Sequence, residues 1–158
     1  MAVNVRRATK GDAAIIAEFA LKLVEQHLEY DPVRFARIAT REGMEWFYGG
    51  QTEAKDAAVL VAEIEDRIVG FAYLGYEERN YAELSVSTAR LHDIYVDEEA
   101  RHTGAGSKLI EAAVEFAKEF GASKLLLSVA AKNIAAQGFF GRAGFQTTMH
   151  EMMLAVGE

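Results

Sequence analysis

The stretch from residue 91 to residue 129 constrains the fold more than any other part of the chain. A strand-like run at 91–96 leads into a loop with two glycines, and a leucine-rich strand follows at 124–129. Between them lies a helix whose apolar residues share one face: Leu109, Ile110, Ala113, Val114, Ala117 and Phe120. Because a strand that follows a strand–helix pair returns parallel to the first strand, this order predicts two parallel strands covered by helices.

The remaining segments extend this pair into a mixed sheet with helices on both faces. Periodicity and turn residues predict these elements: a strand at 3–8, a helix ending near 27, a second helix with Pro32 in its first turn, a hairpin at 57–76, a strand at 85–96, a short helix at 133–142 and a last strand at 145–156. The order is β-α-α-β-β-β-α-β-α-β, which belongs to the α/β (α+β) class. A length of 158 residues fits a single domain over 1–158.

Composition excludes several classes of function. The chain has no cysteine, so disulfides, thiolate metal sites and a cysteine nucleophile are impossible. Its net charge of −7, without a basic tract, argues against nucleic acids and anionic membranes as partners and is compatible with a cationic substrate. No apolar run approaches the roughly 20 residues of a membrane span. Residues 1–10 lack the apolar core of a signal peptide, so we expect a cytoplasmic protein.

The loop Arg101-His102-Thr103-Gly104-Ala105-Gly106 is suited to binding phosphate. Its glycines allow a tight turn and leave backbone N–H groups uncovered, and the helix that begins there adds unpaired N–H groups and the positive end of its dipole. The order Gly106-Ser107-Lys108 does not match a P-loop, and Leu109 stands where a dinucleotide fingerprint needs glycine or alanine. Taken alone, the hexapeptide fits equally well a glycine-rich turn that binds nothing.

Two motifs together resemble the GNAT acetyltransferase superfamily. The pattern Arg-x-x-Gly-x-Gly between a strand and a helix resembles the acyl-CoA pyrophosphate loop of that family. About 29 residues after Gly104, the segment Asn133-Ile134-Ala135-Ala136-Gln137-Gly138-Phe139-Phe140, followed by Gly144-Phe145, resembles the family's Asn-x-x-Ala-x-x-Phe-Tyr…Gly-Phe segment. The resemblance covers roughly 3–155. It implies the GNAT fold, with six to seven strands in a mixed central sheet flanked by about four helices, and an acetyl-CoA-dependent N-acetyltransferase without a metal.

The resemblance also implies where acetyl-CoA binds. In the family, the cofactor lies in a V-shaped opening between the fourth and fifth strands, where pantetheine amides pair with strand backbone. The expected cofactor-binding residues are Ile94, Tyr95, Val96, Arg101, His102, Thr103, Gly104, Ala105, Gly106, Ser107, Asn133 and Phe140. Thr103 departs from the basic or amide residue that is frequent there, which removes one phosphate contact and leaves the main-chain cradle.

Candidate catalytic residues follow from the chemistry of amine acetylation. The amine must lose a proton before it attacks the thioester, and His92 on the fourth strand is the best base because an unperturbed histidine has a pKa near 6.5. Asp93 is the alternative. The family's tyrosine acid is replaced by Phe140, which cannot donate a proton, although a CoA thiolate can leave unassisted. We expect His27, Glu29 and Tyr30 to contribute to the acceptor pocket, with an ordinary surface role for each as the alternative.

These observations predict an enzyme that acetylates a small-molecule amine. A protein or peptide acetyltransferase and a weakly catalytic acyl-CoA-binding module are the alternatives. No His, Asp or Glu pair at helical i,i+4 ligand spacing falls within a shared cluster, which argues against a metal site. The apolar residues Met152, Met153, Leu154 and Val156 of the last strand predict a homodimer.

Overall fold

A five-stranded sheet forms the centre of the protein, as seen in a computed structural model that describes residues 2–157. The strands are β1 (Val3–Arg7), β2 (Ala57–Ile64), β3 (Arg67–Asn80), β4 (Ser85–Val96) and β5 (Lys124–Leu127). They lie in sequence order, with the first three pairings antiparallel and β4–β5 parallel. The predicted parallel pair and hairpin are therefore confirmed.

Four α-helices cover the two faces of the sheet. They are α1 (Ala13–Tyr30), α2 (Arg41–Gln51), α3 (Ala105–Glu119) and α4 (Ile134–Arg142), and short 3-10 turns precede α1 and α3. Among the described residues, no helix is both long enough and apolar enough to cross a membrane.

The sheet separates two apolar cores because successive residues of a strand point to opposite faces. On one side, Leu60, Leu74 and Leu91 of the sheet pack with α3, including its Leu109, and with α4. On the other side, α1 and α2 contribute Ile16, Phe19 and Tyr48, which pack on alternate residues of the same strands, including Val61, Phe71 and Tyr95. The side chains of β2 and β3 therefore point alternately into one core and the other.

Local chemistry explains the turns at the ends of these elements. Glu65 and Asp66 join β2 to β3 with φ values of 52° and 63°, the left-handed pair that a two-residue hairpin requires. Gly121, with φ of 88°, follows α3 as the expected helix-ending glycine. Asn133 caps α4 by accepting a hydrogen bond from Ala136 N–H through its side chain at 3.1 Å.

The second helix begins later than the sequence predicts. Residues 31–40 form irregular backbone, and α2 starts at Arg41 after Thr40, whose hydroxyl accepts a hydrogen bond from Gly43 N–H. Ile38, which lies in this irregular segment, is 87% exposed. Proline fits the first turn of a helix but does not create one, and the capping side chain of Thr40 offers the better start.

The predicted strand at 145–156 is absent, so the sheet has five strands and not the expected six to seven. Residues 146–157 are irregular and exposed, with no strand beside them in the described part of the chain. A strand exists only where a neighbour accepts its backbone hydrogen bonds, and apolar alternation alone does not provide that neighbour. The five-stranded mixed sheet with four helices keeps the predicted α/β (α+β) class.

Candidate active site

The parallel strands β4 and β5 separate after a short region of pairing. Their register runs from Thr88 opposite Lys124 to Leu91 opposite Leu127 and stops there, while β4 continues to Val96. The backbone N–H of Asp97 donates to Val69 O on the β3 side. Because consecutive residues direct N–H and C=O groups to alternate edges, Ile94 and Val96 present theirs to the side that β5 has left. Tyr95 instead pairs with Phe71 and packs its ring in the core beneath α1.

The loop 101–107 lies at the end of this opening and leads into α3. Gly104 adopts φ of 91° immediately before the helix, and His102 also lies in the left-handed region, with φ of 66°. The first bond of the helix runs from Lys108 N–H to Gly104 O, so the N–H groups of Gly106 and Ser107 precede it. This is the arrangement of backbone donors that can bind phosphate oxygens.

Side chains of the loop fasten it to its own backbone. Arg101 donates from Nε to Val96 O at 3.1 Å, and its guanidinium carbon lies 5.7 Å from the centre of the Tyr95 ring. The Thr103 hydroxyl donates to Ala100 O at 2.5 Å. Thr103 therefore has a structural role in shaping the loop, which the sequence did not reveal.

Gly106 has a packing role in addition to any role toward phosphate. A Cβ atom at this position would lie 3.1 Å from Phe139 Cζ and 3.8 Å from Val96 Cγ2. A side chain here would press on the Phe139 ring, so the close approach of α3 to α4 favours glycine. Phe140, the neighbour of Phe139, is buried and packs against Phe145 with ring centres 5.8 Å apart. Its ring offers no proton to a leaving thiolate.

His92 is the extra residue of a bulge in β4. Tyr73 of β3 pairs with Asp93 and Leu74 pairs with Leu91, so His92 has no partner of its own. Its imidazole stacks on the Tyr73 ring with centres 5.2 Å apart and remains open to solvent at its edge. Desolvation by this packing lowers the pKa of His92, against the opposing effects of Asp93 and Glu77. The imidazole is therefore neutral at pH 7 and able to accept a proton.

Asp93 is held by a tyrosine that sequence reasoning missed. The Tyr48 hydroxyl donates to Asp93 Oδ2 at 2.6 Å, and Tyr48 is only 4% exposed. Burial raises the pKa of Asp93, while the hydrogen bond from Tyr48 and the proximity of His92 and His27 lower it. Burial and the neighbouring Asp93 carboxylate raise the pKa of Tyr48 and of Tyr73, so both phenols stay protonated. Because Tyr48 and Asp93 lie 45 residues apart, no local pattern predicts their contact.

An open cavity of about 190 Å³ lies next to His92 on this face of the sheet. Its lining is mostly polar and comprises Gln51, Asp56, Ala57, Tyr73, Gly75, Tyr76, Glu77, Arg90 and His92. Arg90 is engaged by Glu83 at 3.0 Å, which leaves Asp56 and Glu77 as the carboxylates that face the cavity. A larger open cavity of about 430 Å³ between the start of α1 and α2 contains none of the candidate residues.

The three residues predicted for the acceptor pocket, His27, Glu29 and Tyr30, lie in different surroundings. His27 is close enough to Asp93 to affect the pKa of that carboxyl, and its ring packs edge-on against Phe35 with centres 4.8 Å apart. Glu29 is exposed, and the Tyr30 hydroxyl accepts a hydrogen bond from Gln26 at 2.9 Å. None of the three lines the cavity beside His92. Within 2–157, no group of three His, Asp or Glu side chains is placed to hold a metal ion.

Sequence comparisons agree with this architecture. Residues 20–145 match the sequence profile of the acetyltransferase (GNAT) family. The chain is 31% identical over 147 residues to the uncharacterized N-acetyltransferase YhfO of Bacillus subtilis, covering 91% of this chain and 90% of that protein. It is 30% identical over 152 residues to the thialysine N-epsilon-acetyltransferase of Bos taurus, covering 91% and 84% of the two chains.

Solved structures share the fold at low sequence identity. A tetramutant of the BH1408 protein of Bacillus halodurans superposes with a TM-score of 0.83 at 19% identity, covering 97% of this chain and 99% of that one. The aminoglycoside N-acetyltransferase AAC(6')-Iy, in complex with CoA, gives a TM-score of 0.74 at 15% identity, covering 98% and 94%. The sequence match, the splayed strands and the loop before α3 lead to one conclusion: this chain belongs to the GNAT family of acetyl-CoA-dependent N-acetyltransferases.

Proposed function

We propose that this acetyltransferase acts on a small-molecule amine. The observation that carries the proposal is the cavity beside His92, whose volume of about 190 Å³ admits a small group and whose lining includes the carboxylates of Asp56 and Glu77. Glu77 also accepts a hydrogen bond from Asn80 at 2.8 Å. An ammonium ion is attracted to such a site, and the phenol rings of Tyr73 and Tyr76 add surfaces that favour cations. The thialysine acetyltransferase among the relatives also acts on a small amine by its name.

Acetyl-CoA is proposed to lie along the open side of β4. Its pantetheine amides would pair with the backbone N–H and C=O of Ile94 and the N–H of Val96, as an added strand pairs with a free edge. The C=O of Val96 already accepts a hydrogen bond from Arg101. Its pyrophosphate would bind the N–H groups of the 101–107 loop at the start of α3, with Arg101 adding a positive charge. Asn133 and Phe140 would then act indirectly, by fixing the position of α4 beside this groove. Asn133 caps the helix, and Phe140 is its buried ring.

The proposed reaction is a direct transfer. The neutral imidazole of His92 accepts a proton from the ammonium group, and the freed amine forms a bond to the thioester carbon. Backbone N–H groups on the open side of β4 stabilise the oxyanion. The carbon–sulfur bond then breaks and CoA leaves as the thiolate, which takes the proton held by His92 directly or through water. The nitrogen loses its second proton to solvent as it becomes the amide. Asp93, with its raised pKa, is the alternative base.

A protein or peptide acceptor is the second candidate and would need an open groove. The irregular segment 31–40 is joined to the chain that follows β5 by the ion pair of Arg34 with Glu151, which narrows the space between them. This narrowing favours a small acceptor. A weakly catalytic acyl-CoA-binding module is the third candidate, and Phe140 in place of a phenol is the observation that favours it.

The test is a panel of acceptors that share one thiol-release assay. We expect CoA release and N-acetylated product with small diamines and amino acids that carry a side-chain amine, and weaker release with aliphatic monoamines of equal length, which carry only one ammonium group. Turnover with peptides alone would assign the protein-acetylating function. Acetyl-CoA binding without turnover on any amine would assign the binding module.

We further propose a homodimer that works in the cytoplasm, where acetyl-CoA is produced and used. The exposed apolar residues at 149–156 support the dimer because single chains seldom leave such a run in water. Light scattering tests it: a mass near twice 17.4 kDa is expected, and a mass near 17.4 kDa at every accessible concentration would contradict it. Localisation of the tagged protein by fluorescence in its own cells tests the compartment.

A further inference from the structure

The strand β3 contains two glycines whose surroundings differ, and the first of them, Gly70, is explained by packing. A Cβ atom at Gly70 would lie 2.6 Å from Tyr95 O and 3.2 Å from Val96 Cα, both in the backbone of β4. The backbone of a paired strand cannot move aside, so the close approach of β3 to β4 accounts for this glycine.

The second glycine, Gly75, has no such explanation. It pairs with Ala57 of β2 and Arg90 of β4, and its φ is not positive. The nearest backbone atom to a Cβ there would be Asp56 O, at an ordinary contact distance of 3.9 Å. Glycine inside a strand is less stable than alanine, and it often marks a place that a ligand approaches closely. Gly75 therefore points to function and not to folding.

The atoms closest to Gly75 belong to the ring of His92. A Cβ atom at position 75 would lie 3.3 Å from Nε2 and 3.7 Å from Cδ2 of the imidazole. The first distance is shorter than the optimal separation of about 3.5–4.0 Å, so the ring would have to shift. The same ring stacks on Tyr73, two residues earlier on the same face of β3, with centres 5.2 Å apart. The imidazole thus lies over one phenol ring and one residue without a side chain.

The bulge in β4 brings His92 to this position. His92 stacks on Tyr73, and Asp93, the next residue, also turns to this face, where it meets Tyr48. Gly75, Tyr73 and His92 line the cavity of about 190 Å³ together. The space that a side chain at position 75 would fill is therefore part of that cavity, beside Nε2 of His92.

We propose that Gly75 is a positioning residue, whose missing side chain lets the His92 ring pack against β3 and leaves the space beside Nε2 to the acceptor amine. This inference rests on the proposed function, because it makes Nε2 the atom that takes the ammonium proton. A methyl group at position 75 would crowd the ring, and a larger side chain would push it further into the cavity. A misplacement of about 1 Å in an active site can cost about 10²-fold in rate.

The test begins with Gly75→Ala and Gly75→Val. We expect kcat for a small amine to fall by about 10²-fold in Gly75→Val, with a smaller loss in Gly75→Ala. Calorimetry should show unchanged acetyl-CoA affinity, and the urea midpoint of Gly75→Ala should equal or exceed that of the wild type. The matched control is Gly50→Ala, where a Cβ atom meets nothing within 4 Å, and its activity should be unchanged.

A double-mutant cycle tests whether Gly75 acts through the imidazole. In an enzyme that carries His92→Ala, Gly75→Val should cause little further loss, because the ring that it displaces is gone. An equal loss in both backgrounds would show that the side chain obstructs the acceptor directly and would overturn the positioning role. Full activity of Gly75→Val, or a lower urea midpoint in Gly75→Ala, would overturn it as well.

Failure of the inference is distinguishable from failure of the proposed reaction. An enzyme that loses activity in His92→Ala and keeps it in Gly75→Val retains the proposed reaction without the role of Gly75. Full activity in His92→Ala would instead show that the base lies elsewhere, whatever the result at position 75.

Discussion

His92 and Asp93 are neighbours in the sequence but occupy different environments. The bulge in β4 places the imidazole on the Tyr73 ring at the wall of the cavity, whereas the carboxylate of Asp93 faces the buried hydroxyl of Tyr48. Desolvation lowers the pKa of His92 and raises that of Asp93, so both groups tend toward the neutral form. His92, the more accessible of the two, is therefore the better proton acceptor at neutral pH.

Replacing His92 by glutamine tests its role as the base. We expect His92→Gln to reduce kcat/KM by about 10²-fold or more, the typical contribution of a positioned base. The acidic limb of the wild-type pH profile should lie below the usual histidine value of about 6.5, because the pKa of His92 is lowered, and it should disappear in the variant. Calorimetry should show unchanged acetyl-CoA affinity. Retention of full activity and of the same acidic limb would move the role to Asp93 or to water.

Replacing Tyr48 by phenylalanine tests the buried pair. Asp93 would lose its only direct donor within 2–157, which costs about 1–3 kcal/mol of unfolding free energy and raises the pKa of Asp93 further. A carboxyl with a raised folded pKa binds its proton more tightly when folded, so stability falls as pH rises from about 3.9, the unfolded value, through the folded pKa. Urea unfolding of Tyr48→Phe should therefore show a deficit that grows from pH 4 toward neutrality, at roughly the magnitude above. The control Tyr81→Phe alters an exposed phenol and should change nothing.

At the scale of elements, the loop before α3 combines two requirements in a few residues. Gly104 supplies the left-handed turn, and Gly106 admits the ring of Phe139. A bulky residue at Gly106 would therefore disturb the contact between α3 and α4 as well as any phosphate contact. A substitution at Ser107, in the first turn of α3, tests the phosphate contact alone, because this residue stands at the positive end of the helix without that packing constraint.

A carboxylate at Ser107 should change stability and binding in opposite directions. In Ser107→Glu, the negative charge at the start of α3 should leave the free protein unchanged or stabilise it by about 0.3–1 kcal/mol. The same charge should repel the pyrophosphate and weaken acetyl-CoA binding by about tenfold or more, since 1.4 kcal/mol suffices for that loss. Ser107→Gln is the uncharged control. Equal acetyl-CoA affinities for the two variants, measured by calorimetry, would place the phosphates elsewhere.

At the scale of the whole molecule, the exposed apolar residues at 149–156 support the proposed homodimer. If two chains pair, unfolding is coupled to dissociation, and stability depends on protein concentration. Each tenfold increase in concentration should add about 1.4 kcal/mol per dimer to the free energy of unfolding. The thermal midpoint should therefore rise with concentration. A constant midpoint would show that folding is independent of association.

Local patterns determined much of the fold. The hairpin at 57–76, the strand at 85–96, the loop and the helix after it were all readable, because their periodicity and turn residues express short-range preferences of the chain. The same reasoning singled out His92 and Asp93, which stand next to each other in one strand.

Only the tertiary structure decided which groups meet across the chain. The contact of Tyr48 with Asp93, the cavity formed by Asp56, Tyr73 and Glu77, and the approach of Phe139 to Gly106 join residues from separate elements. No periodicity within one element encodes the position of another. The last segment shows the same limit, because its pattern is that of a strand, and a strand forms only where a second backbone is present to accept its hydrogen bonds.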